Sequence, residues 1–148
     1  MTTTVRRVDD GEFFTWLDLY SGYGEFYETP LTDEKAVLVW SWLTDPTHEL
    51  EAYFALNDAG DPIGLAHVRV FARPLAGSRG LFLDDLFVTP DARGEGAATA
   101  ILESLKVRAR DEGLSVVRWI TAADNDAAQR VYDRVAQKTD WVTYDLVP

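Results

Sequence analysis

A chain of 148 residues, 47% hydrophobic and 26% charged, suffices for one globular domain with its own core over residues 1–148 and does not have a disordered composition. The formal net charge of −11 argues against a nucleic-acid partner, which demands a basic face. With no cysteine, disulfides, thiolate metal sites and a cysteine acyl-enzyme are excluded; with only His48 and His67, a histidine-built metal centre is not expected. No apolar run reaches membrane-spanning length and the N-terminus lacks a signal-peptide apolar segment, so a cytoplasmic protein without a membrane partner is expected.

Thr4 to Val8 alternates weakly and suits an opening strand. Asp9-Asp10-Gly11-Glu12 resembles a capping box, and Phe13, Phe14, Trp16, Leu17 and Tyr20 repeat at helical spacing behind it. Gly22 and Gly24 are expected to interrupt that helix, leaving Tyr23 to Glu28 bent or looped before Pro30. Thr32-Asp33-Glu34-Lys35 opens a second helix to about Leu43. Leu50 to Leu56 reads as a strand, Asn57 to Pro62 as a hairpin turn, Ile63 to Phe71 as the returning strand and Arg73 to Gly80 as a loop. Leu81 to Thr89 is the next strand and Ala97 to about Glu112 a helix. The β-branched Ser115 to Thr121 must run parallel to the strand before that helical crossover. Asp124 or Asn125 caps a last helix through Ala136, and Thr139 to Leu146 is expected as a closing strand.

The segment Leu83-Asp84-Asp85-Leu86-Phe87-Val88-Thr89-Pro90-Asp91-Ala92-Arg93-Gly94-Glu95-Gly96-Ala97-Ala98 hands a buried strand to a glycine turn and a helix N-terminus. The first amides of a helix have no internal acceptor and its dipole favours negative charge there, so the pattern is suited to a pyrophosphate. Gly94, Gly96, Ala97 and Ala98 keep side chains clear of the backbone, and Arg93 adds positive charge at the lip. No Gly-Lys-Ser/Thr triplet closes the turn, and Gly94-Glu95-Gly96-Ala97-Ala98-Thr99 lacks the last small residue of a dinucleotide fingerprint. The plain alternative is a strand–turn–helix whose glycines only shape the turn.

Arg93-Gly94-Glu95-Gly96-Ala97-Ala98, read as Arg/Gln-x-x-Gly-x-Gly/Ala after Leu-Phe-Val-x-Pro, resembles the acyl-coenzyme A loop of the GNAT N-acetyltransferases. The element order β-α-α-β-β-β-α-β-α-β resembles the same family over nearly the whole chain. The resemblance implies an α/β (α+β) GNAT fold, a mixed and mostly antiparallel sheet of six to seven strands flanked by about four helices. It also implies acetyl-CoA as cosubstrate, no metal, and a backbone amide around Phe87 or Val88 that binds the thioester carbonyl. Tyr27, Pro30-Leu31-Thr32, Trp40-Ser41-Trp42-Leu43 and Leu83 to Val88 are most similar to diamine and polyamine acetyltransferases.

Asn125-Asp126-Ala127-Ala128-Gln129-Arg130-Val131-Tyr132 resembles the family's second cofactor motif, Asn-x-x-Ala-x-x-x-Tyr. A separation of seven sets Asn125 and Tyr132 on one helical face. The resemblance implies an Asn125 contact near the pantetheine and Tyr132 as general acid to the thiolate; an ordinary tyrosine is protonated at neutral pH, as that role requires. The alternative for Tyr132 is a core position.

Asp84 stands where polyamine acetyltransferases carry a Glu, which makes it the candidate base, its shorter reach favouring a bridging water. Strand alternation sends Asp84 and Asp85 to opposite faces, with Asp85 a candidate for acceptor binding. Glu25, Tyr27 and Glu28 fall where family members build the acceptor lid and suit an ammonium; a solvated loop explains them as well. His67 shares a strand face with Leu65, Arg69 and Phe71 and lines either a cleft or the core, while His48 reads as surface. Arg93, Arg108, Arg130 and Arg134 gather positive charge in the second half, toward the expected cofactor side. The acidic balance favours a small cationic amine as acceptor. A homodimer is expected on family resemblance, and an amino acid, an antibiotic or a protein amine remain alternative acceptors, as does a non-catalytic acyl-CoA-binding module.

Overall fold

The computed structural model describes residues 2–148. Its elements are β1 (Thr4–Arg7), α1 (Phe13–Phe26), α2 (Asp33–Leu43), β2 (Leu50–Leu56), β3 (Pro62–Arg73), β4 (Ser78–Val88), a 3-10 turn (Pro90–Ala92), α3 (Ala97–Glu112), β5 (Val117–Arg118) and α4 (Asp126–Asp133). Five strands form one sheet in the order β1-β2-β3-β4-β5. The first three junctions are antiparallel and β4–β5 is parallel, joined through the α3 crossover that parallel neighbours need.

Period-2 alternation splits each central strand between two cores. Ala66 and Val68 of β3 join Leu81 and Leu83 of β4 beneath Ile101, Leu102 and Leu105 of α3. Leu65 of β3 and Phe87 of β4 face the other way, against Trp16 and Leu19 of α1 and Ala36 of α2.

Four expectations change. α1 runs unbroken through Gly22 and Gly24, because these glycines serve close approach: a Cβ at Gly24 would lie 2.7 Å from the Thr29 carbonyl oxygen and one at Gly22 3.0 Å from the Phe87 ring. The expected loop from Arg73 to Gly80 is mostly strand, with Arg73 paired to Ser78 around a four-residue turn in which Gly77 has φ +60°. β5 is two residues long where Ser115 to Thr121 was expected. Thr139 to Leu146 is not a strand, so the sheet has five strands rather than six or seven.

The shortness of β5 shapes the site. Among the described residues β4 and β5 pair only at Leu81–Val117 and Phe82–Arg118, so β4 beyond Phe82 has no strand neighbour on that side. The register between β3 and β4 also slips at His67/Val68, leaving Asp84 as the extra residue of a bulge. The result is a splayed edge from Asp84 to Val88. No described helix is long and apolar enough to cross a membrane.

Candidate active site

α3 begins at Gly96, which caps it in the left-handed region at φ +85° without a side-chain hydrogen bond. Gly94 has φ +87°, and a Cβ at either glycine would meet no atom within 4 Å. Among the described residues, the amides of Gly94, Gly96, Ala97 and Ala98 have no hydrogen-bond acceptor. Open space, unpaired donors and a helix of 16 residues together fit an anionic phosphate group.

The Thr89 amide donates to the Ile63 carbonyl at 2.9 Å, toward β3. Alternation along an antiparallel ladder then turns the Val88 amide and carbonyl the other way, into the splay. Arg93 reports the same direction: its Nε donates to the Val88 carbonyl oxygen at 3.2 Å. Of Phe87 and Val88, only Val88 points its amide into the opening; Phe87 contributes its ring to the α1-side core. Arg93 does not project at the lip but lies across the strand end, its guanidinium 4.9 Å from the Phe26 ring centroid.

The two aspartates do not oppose each other, because the bulge swings Asp84 toward the α1 side that Asp85 already faces. Asp84 accepts from Arg69 Nε at 3.0 Å, and Asp85 Oδ2 lies 2.8 Å from His67 Nδ1. Burial pushes the Asp84 carboxyl above its ordinary value, against the hydrogen bond and charge of Arg69. Burial acts on Asp85 in the same sense, but hydrogen bonds from His67, Tyr23 and Tyr20 outweigh it and hold this carboxyl low. Asp85 is thus a fixed anion, and Asp84 the readier proton acceptor.

His67 is core rather than cleft lining, with 1% exposure. Its Nε2 accepts the Trp16 indole N–H at 2.9 Å, so Nδ1 carries the proton and donates to Asp85. Tyr20 donates to Asp85 at 3.3 Å, and burial beside this anion raises the Tyr20 and Tyr23 hydroxyls well above the ordinary tyrosine range. Tyr20, Tyr23, Tyr27, Leu31 and Lys35 line a cavity of about 290 Å³. Sequence reasoning passed over Tyr20, Tyr23, Lys35 and Arg69; the only signal was two tyrosines three residues apart on α1, which resembles a core stripe.

Tyr27 lines this cavity, whereas Glu25 and Glu28 are exposed, form no ion pair among the described residues and are not part of its wall. Glu28 sits instead at φ 55° in the turn after α1. Tyr132 packs edge-on against Trp119, with ring centroids 5.2 Å apart, and its hydroxyl has no partner among the described residues. Burial, and then Tyr27 across the opening, raise its pKa. The Asn125 oxygen caps α4 by accepting from Ala128 N at 3.3 Å, which leaves its amide NH2 free to donate to a ligand. Arg108 is not available to a cofactor: it is held by Glu51 at 3.0 Å and Glu112 at 2.7 Å and donates to the Tyr53 hydroxyl. His48 stacks on Trp42 with centroids 5.2 Å apart.

Residues 16–136 match the acetyltransferase (GNAT) family model. Over 141 residues the chain is 31% identical to the D-amino-acid N-acetyltransferase HPA3 of Saccharomyces cerevisiae, covering 95% of this chain and 88% of that one. Its fold is similar to that of a ribosomal-protein-alanine N-acetyltransferase from Brucella melitensis biovar Abortus 2308, with TM-score 0.82 and 20% identity over 99% of both chains. It is equally similar to AAC(6')-Iy in complex with a CoA-containing bisubstrate analogue, with TM-score 0.83 and 18% identity over 100% of this chain and 99% of that one. The open α3 N-terminus and the outward amide of Val88 suit that family, and the match over residues 16–136 with the 31% identity over 95% of the chain shows it: the chain belongs to the GNAT family and is an N-acetyltransferase.

Proposed function

We propose that the protein transfers the acetyl group of acetyl-CoA to the primary amine of a small cationic acceptor, by direct attack with both substrates bound together. The bound acetyl-CoA supplies the activated acyl group and a thiolate leaving group. The α3 amides and Gly94 to Ala98 would hold its pyrophosphate, with Asn125 and Arg93 nearby. The Val88 amide would donate to the thioester oxygen as negative charge grows there, an effect worth about 3 kcal/mol where such a donor is fixed in advance.

Asp85 holds the acceptor's ammonium end, its negative charge kept in place by His67, Tyr20 and Tyr23. Asp84 takes the amine's surplus proton, directly or through one water, which frees the lone pair for attack. As the C–N bond forms and the C–S bond breaks, Tyr132 gives its hydroxyl proton to the departing thiolate, and the second proton lost by the nitrogen passes through water to restore the tyrosine. The observation that supports this reading is the link between cavity and carboxylate: Tyr20 lines the cavity and donates to Asp85, while Val88 at the end of the same strand turns its backbone to the open edge.

A second acceptor class is favoured by Lys35. Lys35 lines the same cavity as Tyr20 and Tyr23, where an acceptor carrying a carboxylate as well as an amine would find a counter-charge for each end. The likeness to a D-amino-acid N-acetyltransferase points the same way.

Thiol release from acetyl-CoA, read with a thiol reagent, tests both, since a chain without cysteine adds no background. Turnover with diamines and polyamines supports the cationic acceptor. Turnover with D- or L-amino acids that weakens in Lys35→Ala supports the zwitterionic one. Tight acetyl-CoA binding with no turnover on any amine would overturn the catalytic reading.

A further inference from the structure

The acidity of the chain is unevenly spread. Its net charge is −11, yet residues 62–83 and 113–123 hold no Asp or Glu and carry Arg69, Arg73, Arg79 and Arg118. The fold joins these two stretches: β3 and β4 pair out to Arg73–Ser78, and Arg118 of β5 stands in register with Phe82 of β4. Ala66, Val68, Leu81 and Leu83 face α3, so alternation turns Arg69, Phe71 and Phe82 to the opposite face, which holds His67 and the aspartates. The core under α1 and α2 stops short of this corner: Phe71 and Phe82 are half-buried and belong to neither core. A basic surface therefore adjoins Asp84 on a chain that is acidic as a whole.

Packing fixes the side chains of this corner. The Phe71 ring lies against Gly80, where a Cβ would come within 2.9 Å of it, and meets Phe82 edge-on with centroids 5.9 Å apart. The Arg69 guanidinium lies 4.7 Å from the Phe82 centroid, and that of Arg118 lies 5.6 Å from the Phe71 centroid. A ring face holds a guanidinium by its charge and leaves its N–H groups to donate outward. Arg69 uses only Nε on Asp84, at 3.0 Å and 3.2 Å. Its two terminal nitrogens, and every side-chain nitrogen of Arg118, have no hydrogen-bond or ion-pair partner among the described residues. Such a planar fork binds a carboxylate through paired N–H donors, and two guanidiniums on adjoining rings draw an anion to them.

We infer that Arg69 and Arg118, seated on Phe82 and Phe71, form a subsite for a carboxylate on the acceptor's side chain, which makes amino acids with an acidic side chain the acceptor class. The inference rests on the zwitterionic reading above. Arg69 ties the subsite to the acceptor: its Nε holds Asp84, and its other nitrogens offer themselves to a carboxylate that then lies beside the group taking the amine's proton. Lys35 serves the carboxylate next to the amine, since it lines the cavity with Tyr20 and Tyr23 and is not part of the sheet corner. A second anion on Arg69 also shares the charge that now favours the ionised Asp84, so a seated acceptor strengthens Asp84 as a base.

Isothermal titration of glutamate and glutamine, each as both enantiomers, into the CoA-bound protein tests the subsite, because the two differ in side-chain charge at nearly equal shape. In the enantiomer it prefers, the parent should bind glutamate about tenfold or more tighter than glutamine. Arg118→Gln should lower glutamate affinity by about fivefold or more and leave glutamine at the parent value. Lys35→Ala should weaken both ligands alike, since both carry the carboxylate next to the amine. Circular dichroism checks that Arg118→Gln is folded; if it is not, Phe71→Leu, which removes the ring under Arg118, decides in the same way. Equal parent affinity for glutamate and glutamine overturns the inference and leaves the zwitterionic reading standing, as does a glutamate affinity that Arg118→Gln does not change. Binding of neither ligand overturns both. Binding needs no proton transfer, so these readouts do not depend on whether Asp84 is the base.

Discussion

The indole nitrogen of Trp16 and Nε2 of His67 lie 2.9 Å apart in the centre of the α1-side core, and this one bond decides what the histidine does. An indole N–H only donates, so Nε2 must accept, and the remaining ring proton is directed from Nδ1 to Asp85 at 2.8 Å. His67 is thereby withdrawn from proton transfer and becomes the support of the anion beside the cavity.

Replacing Trp16 with Phe keeps an aromatic ring but leaves Nε2 without a donor in a core that water does not reach. Truncation of packing plus the orphaned acceptor should cost about 2–4 kcal/mol, measured by urea unfolding. The KM for the amine should rise as Asp85 loses its fixed position. An unchanged unfolding midpoint would mean the bond is not made.

Asp84→Asn should lower turnover by about 10²-fold while leaving acetyl-CoA affinity near the parent value. Because burial raises the Asp84 carboxyl, the parent should lose activity on the acid side as pH falls through a value higher than that of an ordinary aspartate. That acid limb should be missing from the variant's pH–rate profile. Parent-like turnover would remove Asp84 from the reaction.

Tyr132→Phe should lower kcat by about 10²-fold with little change in acetyl-CoA affinity. A raised hydroxyl pKa keeps the proton in place across neutral pH, so any activity loss from this group in the parent comes only on the far alkaline side. Steady-state kinetics with isothermal titration of acetyl-CoA separates the two effects. Equal kcat in parent and variant would leave Tyr132 a packing residue.

Gly96→Ala forces a side chain into the left-handed region and into the open space over the α3 amides. The strain should cost about 1–2 kcal/mol of stability. Gly60 provides the control, since it has φ +83° and an equally open Cβ position in the β2–β3 turn. Both alanine variants should be destabilised alike, but only Gly96→Ala should weaken acetyl-CoA binding, by about tenfold or more. Equal affinity in the two variants would rule out the cradle.

Glu12 accepts from Arg6 at 2.8 Å and 2.9 Å, and this hydrogen bond holds its carboxyl down to about 2. A depressed carboxyl contributes stability above its unfolded pKa and loses that contribution as pH falls toward the folded value. The parent should exceed Glu12→Gln by no more than about 1 kcal/mol at neutral pH, since the pair is solvent-screened. The gap should close as pH falls from about 4.5 to 2, followed by urea midpoints across that range.

Local chemistry was enough to identify the glycine turn, α3 and the Asn125 to Tyr132 helix from sequence, because glycine conformation, unpaired helix amides and helical spacing act over a few residues. The strand assignments for β2 and the centres of β3 and β4 follow for the same reason. Gly22 and Gly24 were misread as breaks because the atoms they make room for, the Phe87 ring and the Thr29 carbonyl, come from elsewhere or from a turn not yet formed. Asp84 and Asp85 were placed on opposite faces because alternation assumes an unbroken ladder, and the slip at His67/Val68 belongs to the pairing of two strands, not to either one. The Trp16–His67–Asp85 chain spans 51 and then 18 residues, beyond any local pattern. For Thr139 to Leu146 the residues specify strand preference, but a strand needs an edge to pair with. Which edge is available is decided by tertiary structure: within one protomer this segment meets none.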